Sequence, residues 1–325
     1  MPSISAIVPV FNGRRHLPAA LSSVSDQALP PDELIVVDDG STDGCCDELE
    51  SLVPQRGAVP IRLIRKANGG QSAARNTGAA VAKGEFLAFL DHDDIWYPNH
   101  LQVLAQALAR DPGLGWVYSD VDEIDDGGLM VAHCFIGGLS VHPKLRVADM
   151  LASDMMVLPS ATVLRRSAFE AVGGFDERLD GYEDDDLFLR IFRRGYANAF
   201  LSEATAQYRL HAGNITATTK VLPSRRAFAQ KIMEMFPDDH LRGRLYMRDL
   251  VAPRFLRSAI GGYARALAAG DAEAGRRHRA DARYFAALGR PDIARRIAVA
   301  LMASPWLFRL GLRTFFARQA AHFGL

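Results

Sequence analysis

Phe86-Leu87-Ala88-Phe89-Leu90-Asp91-His92-Asp93-Asp94 is an apolar run that ends abruptly in carboxylates. The run reads as a buried strand. Unpaired charge is costly inside a core, so the acids should face a cleft or water. Two carboxylates at an i, i+2 spacing can meet one hard cation. Oxygen-ligated Mg²⁺ or Mn²⁺ commonly combines one or two carboxylates with substrate phosphate. The pattern points to a metal-dependent enzyme that handles a diphosphate. A lone helix cap needs one acid rather than three, and His92 between the acids should point to the other side of an extended chain.

Outward from this strand, the N-terminal third alternates strand and helix. Ile4 to Val10 and Glu33 to Val37 are apolar strands, and Val59 to Ile64 reads as another. Leu17, Leu21 and Val24 recur at helical spacing. Gly69-Gly70 opens an alanine-rich helix to about Ala82. Leu101, Leu104 and Leu108 mark a further helix, with Pro98 expected in its first turn. Such alternation predicts an α/β fold with a parallel sheet, which binds ligands beyond the carboxyl ends of its strands. Both Asp38-Asp39 and Asp91-His92-Asp93 stand at such ends.

After residue 115 the pattern changes. Gly115 to Asp122 and Leu129 to Phe135 predict a hairpin around Asp126-Gly127-Gly128. Ser160 to Leu164 predicts a short strand, and Ser167-Ala168-Phe169-Glu170 a capping box closed by Gly173-Gly174. A helix is expected from near Glu183 to Gly195. Three regions result: 1–115, 116–220 and a helical region rich in Ala and Arg over 221–325. Charge divides along the same line. Residues 1–220 hold 19 basic and 30 acidic side chains, and residues 221–325 hold 19 and 8. A basic appendage on an acidic body is expected.

Three cysteines, Cys45, Cys46 and Cys134, make a poor disulfide framework, and no Cys/His spacing resembles a zinc site. The N-terminus lacks the features of a signal peptide, and no run of 18 apolar residues suggests a spanning helix. A reducing, cytoplasmic location is expected. The tail from Trp306 mixes aromatic and aliphatic residues with Arg309, Arg313 and Arg318. It reads either as a peripheral contact with the inner face of a membrane or as a helical cap.

Other clusters allow two readings each. Asp38-Asp39-Gly40-Ser41-Thr42-Asp43 is a turn, or it offers a carboxylate to the N3–H of a pyrimidine, with Pro9-Val10-Phe11 as a surface for the ring. Asn68-Gly69-Gly70 before Arg75 is a helix start, or it admits a nucleoside close to the backbone with Arg75 favouring negative charge. Glu183-Asp184-Asp185-Asp186 compensates a helix dipole, or it presents a general base. His211 in Tyr208-Arg209-Leu210-His211 is structural, or it completes a metal or phosphate site.

Taken together and in order, these pieces resemble the family 2 inverting glycosyltransferases of GT-A fold. Ala6-Ile7-Val8-Pro9-Val10-Phe11-Asn12, Val36-Val37-Asp38-Asp39-Gly40-Ser41, Ala74-Arg75-Asn76, Gly173-Gly174-Phe175-Asp176-Glu177 and the acidic and Tyr208–His211 motifs carry the likeness over about residues 4–215. The resemblance implies a Rossmann-like, mostly parallel sheet flanked by helices, followed by a C-terminal helical region. It also implies a hexosyl- or N-acetylhexosaminyl transfer from a nucleotide sugar, usually with UDP, to a saccharide or lipid-linked saccharide. Cell-surface polysaccharide or glycolipid synthesis would use such a reaction, and no nucleic-acid partner is expected.

By the same resemblance Pro9, Phe11, Asp38, Asp39, Gly70, Arg75 and Asp91 lie along the nucleotide. Asp93, with Asp91 and His211, would hold Mn²⁺ or Mg²⁺, and Asp184 beside Glu183 would be the base. Asp185 stands where the family often has an aromatic residue, which leaves the acceptor type open. Two alternatives to transfer are an aspartate-dependent phosphotransferase or phosphatase, and a nucleotide-sugar-binding module without turnover. Against the phosphatase, three strands precede the Asp-His-Asp motif, where that class uses its first strand.

Overall fold

The computed structural model describes residues 2–47, 49, 59–211, 221–290, 299–300, 302 and 304. The tail beyond Trp306, including Arg309, Arg313 and Arg318, lies outside the described residues. The chain divides into two units, 1–150 with 155–221, and 151–154 with 222–325.

In the first unit β1 (Ile4–Val10), β2 (Glu33–Asp38), β3 (Ile61–Arg65) and β4 (Phe86–Phe89) pair in parallel. Helices α1 (Leu17–Ser25) and α2 (Gln71–Val81) make crossovers, and the short strand β5 (Ile95–Trp96) and helix α3 (His100–Arg110) follow. Next come β6 (Leu114–Ile124), β7 (Met130–Ala132), α4 (Val147–Leu151), β8 (Thr162–Arg165), α5 (Arg166–Glu170), α6 (Glu183–Arg193) and β9 (Ala197–Arg209). The sheet runs β3-β2-β1-β4-β8-β6-β9-β5, with β7 on β6.

Every residue of β1 is buried, as expected for a strand covered on both faces. Ile4, Ala6, Val8 and Val10 share a core with Leu17 and Leu21 of α1 and Leu101, Leu104 and Leu108 of α3. Ile7 points to the opposite face, where a Cβ at Gly78 of α2 would sit 2.5 Å from its Cγ2. Glycine there lets the helix approach the sheet. Phe89 packs on that same face against Phe169 and Phe175, with ring centroids at 5.8 and 5.4 Å.

Strand direction places the site. β8 runs against β4 and against β6, and β9 runs with β6. The carboxyl ends of β1, β2, β4, β6 and β9 therefore open on one edge. Asp39, Asp91 and His211 leave strands at that edge although the sequence separates them widely.

Three local expectations are corrected. Pro98 precedes the Asn99 N-cap of α3 rather than entering its first turn; its carbonyl instead accepts the Ala28 N–H at 2.7 Å. The 167–170 capping box does not form. Arg165 is the N-cap of α5, because the Arg166 N–H still bonds the Glu85 carbonyl, so strand passes directly to helix. Glu170 instead pairs with Arg166. The second hairpin strand is only three residues long, since Cys134 adopts φ +48 and its N–H turns to Asp122 Oδ1.

In the second unit α7 (Val221–Met235), α8 (Ala252–Ala269) and α9 (Ala272–Leu288) follow one another. Asp281 receives both Arg225 and Arg226, and Phe228, Phe255 and Phe285 form a ring-packed core. Among the described residues no helix is long and apolar enough to cross a membrane.

Candidate active site

One side of the candidate site begins at the ends of β1 and β2. Pro9 is buried opposite Val37, while Phe11 is 46% exposed and presents its ring to solvent. Asp38 turns into its own loop, where Oδ1 accepts the Ser41 N–H at 2.8 Å. Asp39 is buried and accepts hydrogen bonds from Lys66 Nζ at 2.7 Å, the Gly69 N–H at 3.0 Å and the Gly70 N–H at 2.8 Å. It thus ties the Gly69-Gly70 turn, the start of α2, to the end of β2. Gly70 has φ 88 and ψ 167, a backbone region that excludes side chains.

One turn further along α2, Arg75 is buried to 1% exposure. Its Nη2 donates to both oxygens of Asp91, at 2.7 and 2.9 Å. Its Nη1 donates to Asp184 Oδ1 at 3.3 Å and lies 3.5 Å from Glu183 Oε1. Burial alone would lower the guanidinium pKa, but the three carboxylates outweigh it and raise it. Asp184 keeps 28% of its side-chain exposure. Burial, then the charge of Glu183, push its carboxyl well above the ordinary range, and Arg75 opposes them. Water at the exposed part screens a share of that push. Glu183 is raised as well, again by burial first.

The four acids that open α6 have separate partners. Glu183 Oε2 accepts the Gly181 N–H, Asp185 Oδ1 accepts the Met155 N–H at 3.3 Å, and Asp186 pairs with Arg190. Asp184 is the one that shares Arg75 with Asp91 through a hydrogen bond.

Two residues beyond Asp91, Asp93 Oδ2 lies 2.7 Å from His211 Nε2. Burial pushes the Asp93 carboxyl up, yet the His92 charge and the His211 hydrogen bond leave it below its usual value. His92 packs over Gly13, where a Cβ would be 2.6 Å from its ring, and residues 91–94 form a turn closed by the Asp94 N–H on the Asp91 carbonyl at 3.1 Å rather than the extended run that would turn His92 away from the acids. Asp94 is buried rather than facing the cleft. It accepts the Arg209 N–H at 3.0 Å, and burial with the charges of Asp93 and Asp91 raises its carboxyl well above the ordinary range.

The structure therefore gathers Arg75, Asp91, Glu183 and Asp184 into one cluster, Asp93 and His211 into a pair, and Asp39 with Gly70 into a turn. Asp91 does not converge with Asp93 and His211. Among the described residues the group of three possible ligands within 4.8 Å of one another is Asp122, His133 and Cys134, away from these acids in sequence.

Several supporting residues escape sequence reasoning. Arg209 Nε donates to the Asp93 carbonyl and Nη1 to those of Asp125 and Asp126, tying the Asp91–Asp94 turn to the hairpin. His16 lies 3.1 Å from Asp126 and 5.5 Å, ring to ring, from His211; Arg15 also pairs with Asp126. Ser160 Oγ bonds the Asp91 N–H. The motif Tyr208-Arg209-Leu210-His211 contains one signal, an arginine two residues before the histidine. Asp126 in a Gly-rich turn carries none.

The family model for glycosyl transferase family 2 matches residues 5–173. An uncharacterised glycosyltransferase of Nostoc sp. (strain PCC 7120) is 31% identical over 244 residues, 71% of this chain and 72% of the relative. An uncharacterised glycosyltransferase of Rickettsia bellii is 30% identical over 193 residues, 59% of this chain but 28% of the relative, so the match spans less than a third of that protein. Residues 1–349 of S. aureus TarS, in complex with UDP-GlcNAc, superpose with a TM-score of 0.66 at 18% identity, covering 98% of this chain and 92% of that one. The mannosyltransferase PcManGT from Pyrobaculum calidifontis, in complex with GDP-Man and Mn²⁺, gives 0.56 at 20% identity, covering 95% and 86%. These two likenesses concern the GT-A fold. With half of its length matched by the family model, the chain belongs to glycosyl transferase family 2.

Proposed function

We propose that this chain is an inverting glycosyltransferase that moves a hexosyl or N-acetylhexosaminyl group from a nucleoside diphosphate sugar, of the UDP class, to a hydroxyl of a saccharide or lipid-linked saccharide. The observation that carries the reading is the meeting of Asp91 and Asp184 on one guanidinium, two residues from the Asp93–His211 pair. A carboxylate able to act as base thus stands close to a site suited to a diphosphate.

In this reading Phe11 and Pro9 flank the base, and Asp38 and Asp39 hold the turns beneath it, with Gly70 leaving its backbone open. Asp91 takes the ribose side. Asp184 removes the proton of the acceptor hydroxyl as that oxygen attacks the anomeric carbon from the face opposite the leaving diphosphate. Its raised carboxyl pKa brings it nearer the pH at which a general base is efficient. Glu183 sustains that shift. One attack on one face inverts the anomeric centre.

Asp93 and His211 would hold a divalent cation: a carboxylate oxygen and an imidazole nitrogen both suit Mn²⁺, and the ion would take the place of the 2.7 Å hydrogen bond that joins them. Asp91 belongs to the same turn. Such an ion, when bound, offsets charge on the departing diphosphate. PcManGT, whose fold is shared, was determined with Mn²⁺.

The test is a thermal-shift screen of UDP-GlcNAc, UDP-glucose, UDP-galactose and GDP-mannose with and without Mn²⁺, followed by assay of nucleoside diphosphate release. Stabilisation by one of them with Mn²⁺, and a product of inverted configuration by proton NMR, is expected. Phosphate release from simple phosphoesters without any response to nucleotide sugars would favour the phosphotransferase. Binding without turnover on any saccharide acceptor or water would favour the binding module. Flotation with liposomes, compared with a chain ending near Ala303, tests whether the C-terminal tail reaches a membrane.

A further inference from the structure

We propose that Arg75 is a positioning residue for the base Asp184 and not a ligand of the nucleoside. The inference rests on the reading of Asp184 as the base. Three observations support it. The guanidinium is 1% exposed, so a nucleotide cannot reach it without displacing a carboxylate. Its two ends are both engaged, Nη2 by Asp91 and Nη1 by Asp184 with Glu183 behind. The third lies in the adjacent residue. Asn76 donates to the Phe175 carbonyl and to Glu177, and accepts the Phe175 N–H, all at 2.9 Å. Consecutive residues of α2 thus both grip the segment that leads into α6.

Phe175 closes the arrangement, with its ring centroid 5.1 Å from the guanidinium carbon. Among the described residues the buried Nε has no partner. That orphan donor is the cost of aiming both Nη groups at acids on different elements. A guanidinium is a rigid planar fork, whereas an ammonium is a point charge. Arginine can therefore act as a spacer of fixed length between the donor-side Asp91 and Asp184. Acceptor activation then depends on where Asp91 is held, and the base is set relative to the donor by one side chain.

The experiment compares Arg75→Lys and Arg75→Ala with the wild-type protein. Mn²⁺-dependent UDP affinity is read by calorimetry, and kcat and donor KM by transfer to the best acceptor found. A spacer predicts UDP affinity and donor KM within roughly threefold of wild type for Arg75→Lys, with kcat down about a hundredfold, because charge remains and geometry is lost. Arg75→Ala should lose more, and millimolar guanidine should restore part of its kcat where the same concentration of methylamine does not. Melting temperatures of both variants are measured alongside; if Arg75→Ala fails to fold, Arg75→Lys alone decides the matter through its split between kcat and affinity. A loss of UDP affinity in Arg75→Lys with kcat retained would overturn the proposal and make Arg75 a nucleoside ligand. Equal kcat in Arg75→Lys and wild type would overturn it too. A wild-type protein that transfers no sugar would count against the glycosyltransferase reading instead.

Discussion

Asp93 and His211 stand 118 positions apart, yet Oδ2 and Nε2 meet at 2.7 Å. The meeting follows from sheet order. β4 and β9 point the same way with β8 and β6 between them, and Arg209, two residues before His211, holds the Asp93 carbonyl. If this pair holds the cation, Asp93→Ala should abolish the gain in donor affinity on adding Mn²⁺. His211→Ala should reduce it by roughly tenfold or more, because one donor remains. Calorimetry with UDP in Mn²⁺ and in EDTA checks both. Equal Mn²⁺ enhancement in Asp93→Ala and wild type would remove Asp93 from the site.

If Asp184 is the base, Asp184→Asn should lower kcat by about a thousandfold while leaving UDP affinity near wild type, since it then deletes proton removal and little else. Equal losses of both would deny it the role of base. The pH profile carries a second signature. A base must be ionised, so the rate should rise with pH along a limb above the ordinary carboxylate range, because burial and Glu183 raise the Asp184 carboxyl. Glu183→Gln removes one of those two causes, and the limb should move to lower pH. A limb that stays in place would show that the acid titrating is another.

Part of this was legible without coordinates. The unbroken apolar runs of β1 and β4, each ending in polar residues, identify strands covered on both faces with functional ends. Gly70 announces its helix, and Glu183 opens α6 at the expected residue. The partners of each acid were not legible. Local pattern encodes which way a side chain points on its own element, whereas the insertion of β8 between β4 and β6 has no local sign. Hence Asp94 reads as a third cleft acid and is buried under Arg209, and Asp126 reads as a turn residue and pairs with His16. Ser167 and Glu170 had capping-box spacing, but the backbone of Arg166 was already committed to Glu85.

The Asp39–Gly70 turn separates strain from crowding. A Cβ at Gly70 would meet nothing within 4 Å, yet φ +88 disfavours any L side chain. Gly70→Ala should therefore cost about 1–3 kcal/mol through the backbone alone. Asp39→Ala should cost a similar amount for a different reason, roughly 1–3 kcal/mol for the Gly69 and Gly70 donors and Lys66 left without their acceptor. Urea unfolding measures both. A Gly70→Ala protein as stable as wild type would mean that the turn relaxes away from the described conformation.

His100 gives a stability prediction whose sign is fixed by burial. Its ring is inaccessible to solvent, stacks on Trp96 at 4.5 Å, and places Nδ1 2.7 Å from Thr205 Oγ1. Burial lowers its pKa to about 3, and the Thr205 contact opposes only weakly. The folded protein therefore keeps it neutral while the unfolded chain takes up a proton below about pH 6.5. Between those values the unfolded state binds more protons at this site, so its contribution to stability falls as pH falls, by up to about 1.4 kcal/mol per pH unit. His100→Phe cannot titrate and retains an aromatic ring for Trp96, and Thr205 keeps its hydrogen bond to Ser119 at 2.6 Å. Groups elsewhere, such as Asp94 and His278, titrate alike in both proteins and cancel in the difference. The stability of His100→Phe relative to wild type should accordingly improve as pH is lowered from 7 to 4, by roughly 2–3 kcal/mol in urea melts. Parallel pH dependences would mean that the imidazole is protonated in place, with water or a carboxylate reaching it.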